Sequence, residues 1–235
     1  MTAILKREIR SFFVTPISYV FITMFLVLTL LLFIGMGIVR RGVADMTGLF
    51  ANMPLILVFL IPILTMRSIA EERKSKTDQL LFTAPVSTWE IVLAKYLASV
   101  FVFVITLLST IIYPIILSIY GNPELAPIIS HYVGFILYGA AFIAIGIFIS
   151  SLTENQFIAA VVSFGVLFAL TFIDMVGQWS GNINVARFVG FISLQRRFSD
   201  FHWSILNPAS ILYFLVIAAL FVFLTIQQLD RKRVL

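Results

Sequence analysis

The chain has 235 residues, of which 61% are hydrophobic and only 11% charged, with no cysteine and a formal net charge of +5. With a mean hydropathy of +1.08 it lies outside the range of soluble globular domains, and the lack of cysteine excludes disulfides and thiolate metal sites. In so apolar a chain the surplus of Lys and Arg reads as membrane-orientation charge rather than as a nucleic-acid footprint, so no nucleic-acid partner is expected.

The charges divide the sequence into six charge-free runs, residues 11–39, 46–66, 96–123, 125–153, 155–173 and 201–229. Each matches or exceeds the roughly 18 to 20 apolar residues that cross about 30 Å of hydrocarbon as a helix. Runs such as 21–34 are apolar on every face, which fits helices and not the alternating strands of a barrel. The predicted fold is therefore an all-α integral membrane protein, a single domain of six transmembrane helices. With the N-terminus cytoplasmic, one side holds Lys6, Arg7, Arg10, Arg67, Arg73, Lys74, Lys76, Lys95, Arg231, Lys232 and Arg233, and the other only Arg40, Arg41, Arg187, Arg196 and Arg197. The positive-inside rule then puts both termini in the cytoplasm. No signal peptide is expected, because the first apolar run is too long and no small-residue cleavage site follows it.

In chain order, residues 2–15 place Leu5, Ile9 and Phe12 on one helical face and Lys6, Arg7 and Arg10 on the other, ahead of Pro16. The pattern predicts an amphipathic helix along the cytoplasmic leaflet, with a plain basic flank of the first span as the alternative. The first span is expected over 17–39 and the second over 49–66, where Pro62 removes a backbone hydrogen bond and marks a possible hinge or a packing irregularity.

Between Arg67 and Lys95 stand nine charged residues. Thr77, Leu80, Leu81 and Ala84 repeat at helical spacing among Glu71, Glu72, Arg73, Lys74, Lys76 and Asp78, which predicts one amphipathic helix over about 68–84. Pro85 divides the stretch and is a second possible hinge. Ser87-Thr-Trp-Glu90 then fits a capping box opening the third span, expected over 88–119 with Lys95 snorkelling to the headgroups.

The fourth span is expected over 129–150, where Gly134, Gly139 and Gly146 permit close helix approach. The fifth is expected over 157–176 and the sixth over 208–228, ahead of the basic tail Asp230-Arg-Lys-Arg233. Between them, residues 177–206 are semi-apolar. Val185, Phe188, Val189 and Ile192 repeat at helical spacing beside Arg187, which predicts a short helix lying on or dipping into the outer leaflet. Arg196 and Arg197 run against the positive-inside trend there, so Arg187, Arg196 and Arg197 are candidates for contact with an outer protein partner or with anionic lipid headgroups.

The chain has no GxxxxGK[ST] phosphate loop and no GxSxG, and its membrane-depth segments offer only Asp174 as a carboxylate, near a span end. The two histidines, His131 and His202, fall near the outer ends of spans, and almost no charge lies at membrane depth, which disfavours catalysis and ion-coupled transport. Energy is expected to enter from another chain, with no catalytic residue, metal or cofactor in this one.

The run Arg67-Ser-Ile-Ala-Glu71-Glu72-Arg73-Lys74-Ser-Lys76-Thr77-Asp78-Gln-Leu80-Leu81-Phe-Thr83-Ala-Pro85-Val-Ser87, followed by Glu90-Ile-Val-Leu-Ala-Lys95, resembles the segment joining spans two and three of ABC-2-type permeases. These are the membrane subunits of ATP-binding-cassette exporters. Ile145-Gly146-Ile-Phe148-Ile-Ser150-Ser151-Leu152-Thr153-Glu154-Asn155-Gln156 resembles the end of their fourth span and the following turn. The last-span pattern from Tyr213-Phe214-Leu215 to Leu224-Thr225, with the basic tail, is similar to the gliding-motility-type sub-group.

The resemblance implies a bacterial inner-membrane subunit that pairs with a second copy or a homologous permease through spans one and five. Two cytoplasmic ATPase chains, which bind ATP and magnesium, would dock beneath it. Residues 68–84 would be the coupling helix, with Arg67, Glu71, Glu72, Arg73, Lys74, Thr77, Asp78, Leu80, Leu81 and Pro85 as ATPase-coupling residues. The alternative expectation is a membrane anchor that passes ATPase motion to an extracytoplasmic partner without moving a solute, for which residues 177–206 are the motive.

Overall fold

The computed structural model describes residues 1–38, 46–77, 87–120, 124–179, 181–202 and 207–234, and these are helical with no strand among them. α1 (Thr2–Val14) is separated from α2 (Pro16–Leu32) by Thr15, whose extended backbone (φ −91°, ψ 141°) breaks the helix and delivers Pro16 to the first turn of the next one. Proline is well placed there, since its missing N–H is one the helix start leaves unbonded anyway. α3 (Thr47–Thr65) runs on through Pro54 and Pro62. After it come α4 (Ala70–Lys74) and α5 (Thr88–Leu108). A 3₁₀ turn at Ser109–Ile111 joins α5 to α6 (Ile112–Tyr120), one turn ahead of Pro114, whose ring nitrogen cannot donate into the ladder. α7 (Leu125–Leu152), α8 (Gln156–Trp179), α9 (Ile183–Ile192), α10 (Leu194–His202) and α11 (Pro208–Val234) complete the chain.

Among the described residues, six stretches are long and apolar enough to cross a membrane: Pro16–Gly35, Thr47–Lys74, Thr88–Ile119, Leu125–Leu152, Gln156–Trp179 and Pro208–Arg231. The fourth and second are the centre of the bundle, 72% and 67% buried, while the first, fifth and sixth are only 28%, 22% and 28% buried. The peripheral spans therefore offer wide apolar faces to lipid or to another protein.

The core is aromatic. Phe25, Phe50, Phe103, Phe135, Tyr138, Phe198 and Phe214 are all fully buried. Phe135 has its ring centroid 6.4 Å from Phe25, 5.8 Å from Phe103 and 6.1 Å from Phe198. The glycines of the fourth span serve this packing in a way their spacing does not announce. A Cβ at Gly139 would stand 2.3 Å from Phe103 Cε1, and one at Gly134 would stand 2.5 Å from Phe201 Cγ. These glycines admit rings from other helices rather than a second backbone.

The segment after span five differs from the single short helix predicted. Ser193 interrupts it, so α9 ends at Ile192 and α10 begins at Leu194. The Ser193 hydroxyl accepts from Arg196 N at 3.1 Å and donates to Asp174 Oδ2 at 2.8 Å, capping α10 and tying it to span five. α10 then turns Phe198 and Phe201 into the bundle, where Ser130 donates to the Phe201 carbonyl at 3.1 Å.

Candidate functional site

The charged residues expected to couple to a partner gather at the end of the bundle where α1, α4 and the start of α5 meet. Glu71 and Glu72 occupy the first turn of α4 and Arg73 and Lys74 its last, an order that opposes charge to the helix dipole at both ends. α4 ends at Lys74, inside the helix expected over 68–84, of which residues 78–84 lie outside the described residues. It closes at Lys76, which takes a left-handed conformation (φ 55°). Thr77 N then donates to Glu72 O at 2.9 Å and Lys76 N to Arg73 O at 3.0 Å, the paired closing bonds of a Schellman turn. Glycine usually fills that position, and its absence here hides the stop from the sequence. Ser75 Oγ reinforces the turn by donating to Glu71 O at 2.8 Å and lying 2.9 Å from Thr77 Oγ1. Asp78, Leu80, Leu81 and Pro85 lie outside the described residues.

The two glutamates are engaged within the chain. Arg67 forks onto Glu71, with Nη2 to Oε1 at 2.7 Å. Lys95 Nζ donates to Glu72 Oε1 at 2.7 Å and to Glu8 Oε2 at 3.4 Å, and Arg7 pairs with Glu8 at 2.7 Å. That hydrogen bond to Glu8 holds the Arg7 guanidinium above its ordinary pKa. Lys95 is thus not snorkelling to solvent. It is 3% exposed and paired, because α1 lies against the start of α5 and delivers Glu8 to it. A buried ammonium needs such partners, since leaving water costs it several kcal/mol. Arg73 is buried as well, whereas Lys74, Ser75, Lys76 and Thr77 are exposed.

The turn before α4 is seated by a residue that sequence reasoning did not single out as functional. Ser150 Oγ, on span four, accepts from Ile69 N at 3.2 Å and Ala70 N at 3.1 Å and donates to Met66 O at 3.1 Å. It satisfies amides that the start of α4 would otherwise leave unbonded. Nearby, a Cβ on Gly146 would stand 2.3 Å from Thr65 Oγ1, so spans two and four are in close register just above the turn. Glu8 was missed as well, and its only signal was being the one acid among the basic residues of α1.

The structure also places Ser87, Glu90 and Pro62. Ser87 occupies the N-cap of α5 with extended backbone and makes no side-chain bond to the helix amides, while the Glu90 carboxylate reaches back to Ser87, the other half of the expected capping box, and lies 3.5 Å from the amino terminus of Met1. Pro62, considered as a hinge, is buried within α3, and its carbonyl accepts from Met66 N at 2.9 Å. A cavity of about 330 Å³ opens between α1 and the loop, lined by Glu8, Phe12, Arg67, Glu71, Glu72 and Lys95 among others. Among the described residues no group of three or more His, Asp or Glu side chains is placed to hold a metal ion.

At the opposite end of the bundle, Arg187, Arg196 and Arg197 line a second cavity of about 290 Å³ together with Gly190, Phe191 and Asp200. The structure brings the three arginines together although the first and last stand ten positions apart in the chain.

Six apolar spans among the described residues, around a central aromatic core and with a charged loop pinned between spans two and three, define a multi-pass membrane protein. The family model described as ABC-2 family transporter protein matches residues 40–227. The chain belongs to that family, whose members are the non-catalytic permease components of ABC transporters. No curated protein matches the chain.

Proposed function

We propose that the chain is the permease subunit of an ABC exporter in the bacterial cytoplasmic membrane, with both termini on the cytoplasmic side. It pairs with a second permease, and two ATPase chains that bind ATP and magnesium dock on the loop between spans two and three. The last-span pattern favours the gliding-motility-type sub-group. The observation that carries the reading is the division of labour within the loop. Glu71, Glu72 and the turn at Met66–Ala70 are bonded inward to Arg67, Lys95 and Ser150, while Lys74 to Thr77 face outward. Force applied at the exposed turn would pass through α4 into span three by way of Lys95 and into span four by way of Ser150. The sparsely buried spans one and five are the faces that would meet the second permease.

This assignment makes Lys74 and Lys76, not the glutamates, the charges a partner meets first. Lys74→Glu with Lys76→Glu reverses two exposed charges without touching the inward network. The reading expects ATPase co-purification to fall about tenfold, ~1.4 kcal/mol, with thermal stability unchanged. Undiminished co-purification and ATP turnover would remove the loop from the coupling route.

A further inference from the structure

We propose that the cavity between α9 and α10 is a phosphate site that holds the headgroup of an anionic phospholipid in the outer leaflet. The leaflet follows from the orientation given above; the site itself does not depend on it. Arg187, Arg196 and Arg197 line the cavity against a single carboxylate, Asp200, whose Oδ2 already accepts from Ser210 at 2.6 Å. Asp174, on the far side of Arg196, is taken by Ser193. Among the described residues none of the three arginines has an ion-pair partner. The Arg197 Nε–H is buried and unbonded, and its guanidinium carbon lies 5.9 Å from the Phe191 ring centre and 5.6 Å from that of Tyr213. The Arg196 guanidinium lies where a Cβ on Gly190 would be, 2.3 Å from Nη1, so the absence of a side chain at residue 190 gives it room.

Three guanidiniums set against one occupied carboxylate favour a tetrahedral phosphate anion, whose oxygens arginine forks bind in paired hydrogen bonds. The surroundings identify the anion's carrier. Trp179, at the end of span five, is 86% exposed, and Phe188 and Phe191 on α9 are each 70% exposed. Aromatic residues so displayed beside a span end are those that sit at the headgroup level, with acyl chains along one side and phosphates along the other. Phe191 belongs to both settings, since it lines the arginine cavity and projects outward.

The test uses the full chain in nanodiscs of phosphatidylcholine, titrated with fluorescent phosphatidylglycerol, alongside Arg187→Gln, the triple Arg187→Gln/Arg196→Gln/Arg197→Gln, and the triple lysine variant. Each basic group near a headgroup contributes about fivefold in affinity, so the single glutamine variant should lose about fivefold. The glutamine triple should bind phosphatidylglycerol no better than phosphatidylcholine, and the lysine triple should recover part of the preference. Arg187 is exposed, so its single variant reads binding even if the triple folds poorly. Inorganic phosphate at millimolar concentration should not displace the lipid. Complete displacement by phosphate would overturn the lipid assignment in favour of a free-anion site. An unchanged preference in both glutamine variants would overturn the site and leave the cavity to a protein partner. Because no ATPase is present, these outcomes are independent of the coupling result.

Discussion

Lys95 on span three donates to Glu72 on α4 across 2.7 Å while only 3% of the lysine is exposed. The charged loop is thereby fastened to the helix that leaves it, and Glu8 draws α1 into the same contact. Lys95→Met keeps the length of the side chain but leaves Glu8 and Glu72 facing one another. Because both glutamates retain some exposure, the cost should be about 2 kcal/mol, below that of a fully buried broken pair. Adding Glu72→Gln should recover part of it. Thermal unfolding of the single and double variants in detergent checks this, and strict additivity would show that the two residues do not interact.

Gly146 and Gly165 should respond oppositely to alanine. Alanine favours a helix over glycine by up to about 1 kcal/mol. At Gly146 the new methyl would meet Thr65 Oγ1 at 2.3 Å and Thr65 Cβ at 3.0 Å, atoms close to a buried backbone that cannot swing away. Overpacking of about 1–3 kcal/mol should win there. At Gly165 nothing lies within 4 Å, so Gly165→Ala should leave the isolated chain unchanged or slightly more stable.

Ser150→Ala removes the acceptor for two amides and the donor to Met66 O. The unmet groups should cost about 1–3 kcal/mol. The local signature is more telling than the global loss: hydrogen exchange of the Ile69 and Ala70 amides should accelerate while the core of span four stays protected. Unchanged exchange there would mean that the turn is held by something other than Ser150.

Lys76→Gly should stabilise the turn after α4. A non-glycine residue in the left-handed region carries a cost of about 1 kcal/mol, and the Lys76 side chain is exposed. If the charge of Lys76 also meets the ATPase, the same variant should weaken co-purification while raising thermal stability.

The six spans were legible because each is an unbroken apolar run bounded by charge, and length alone fixes what such a run can do. The loop was legible as a place and not as a shape. Its helical periodicity extends past Lys76, but the left-handed backbone there ends α4 after Lys74, and no glycine marks the stop. Lys95 near a span end reads as a snorkelling residue; only the position of α1, which depends on the break at Thr15, brings Glu8 within reach. The glycines of span four were visible as small residues, but which side chains they admit is a property of three other helices. The arginine cavity was half visible: Arg187, Arg196 and Arg197 stood out by charge, while their meeting depends on the break at Ser193 between α9 and α10.

The central claim is that residues 74–77 are where an ATPase grips this subunit. A photo-crosslinking residue at position 74, with another at position 188 on the opposite end of the bundle, tests it in native membranes. The account predicts a covalent adduct with the ATPase chain from position 74 and none from position 188. An ATPase adduct from position 188, or none from position 74 in membranes where the complex is intact, would contradict it.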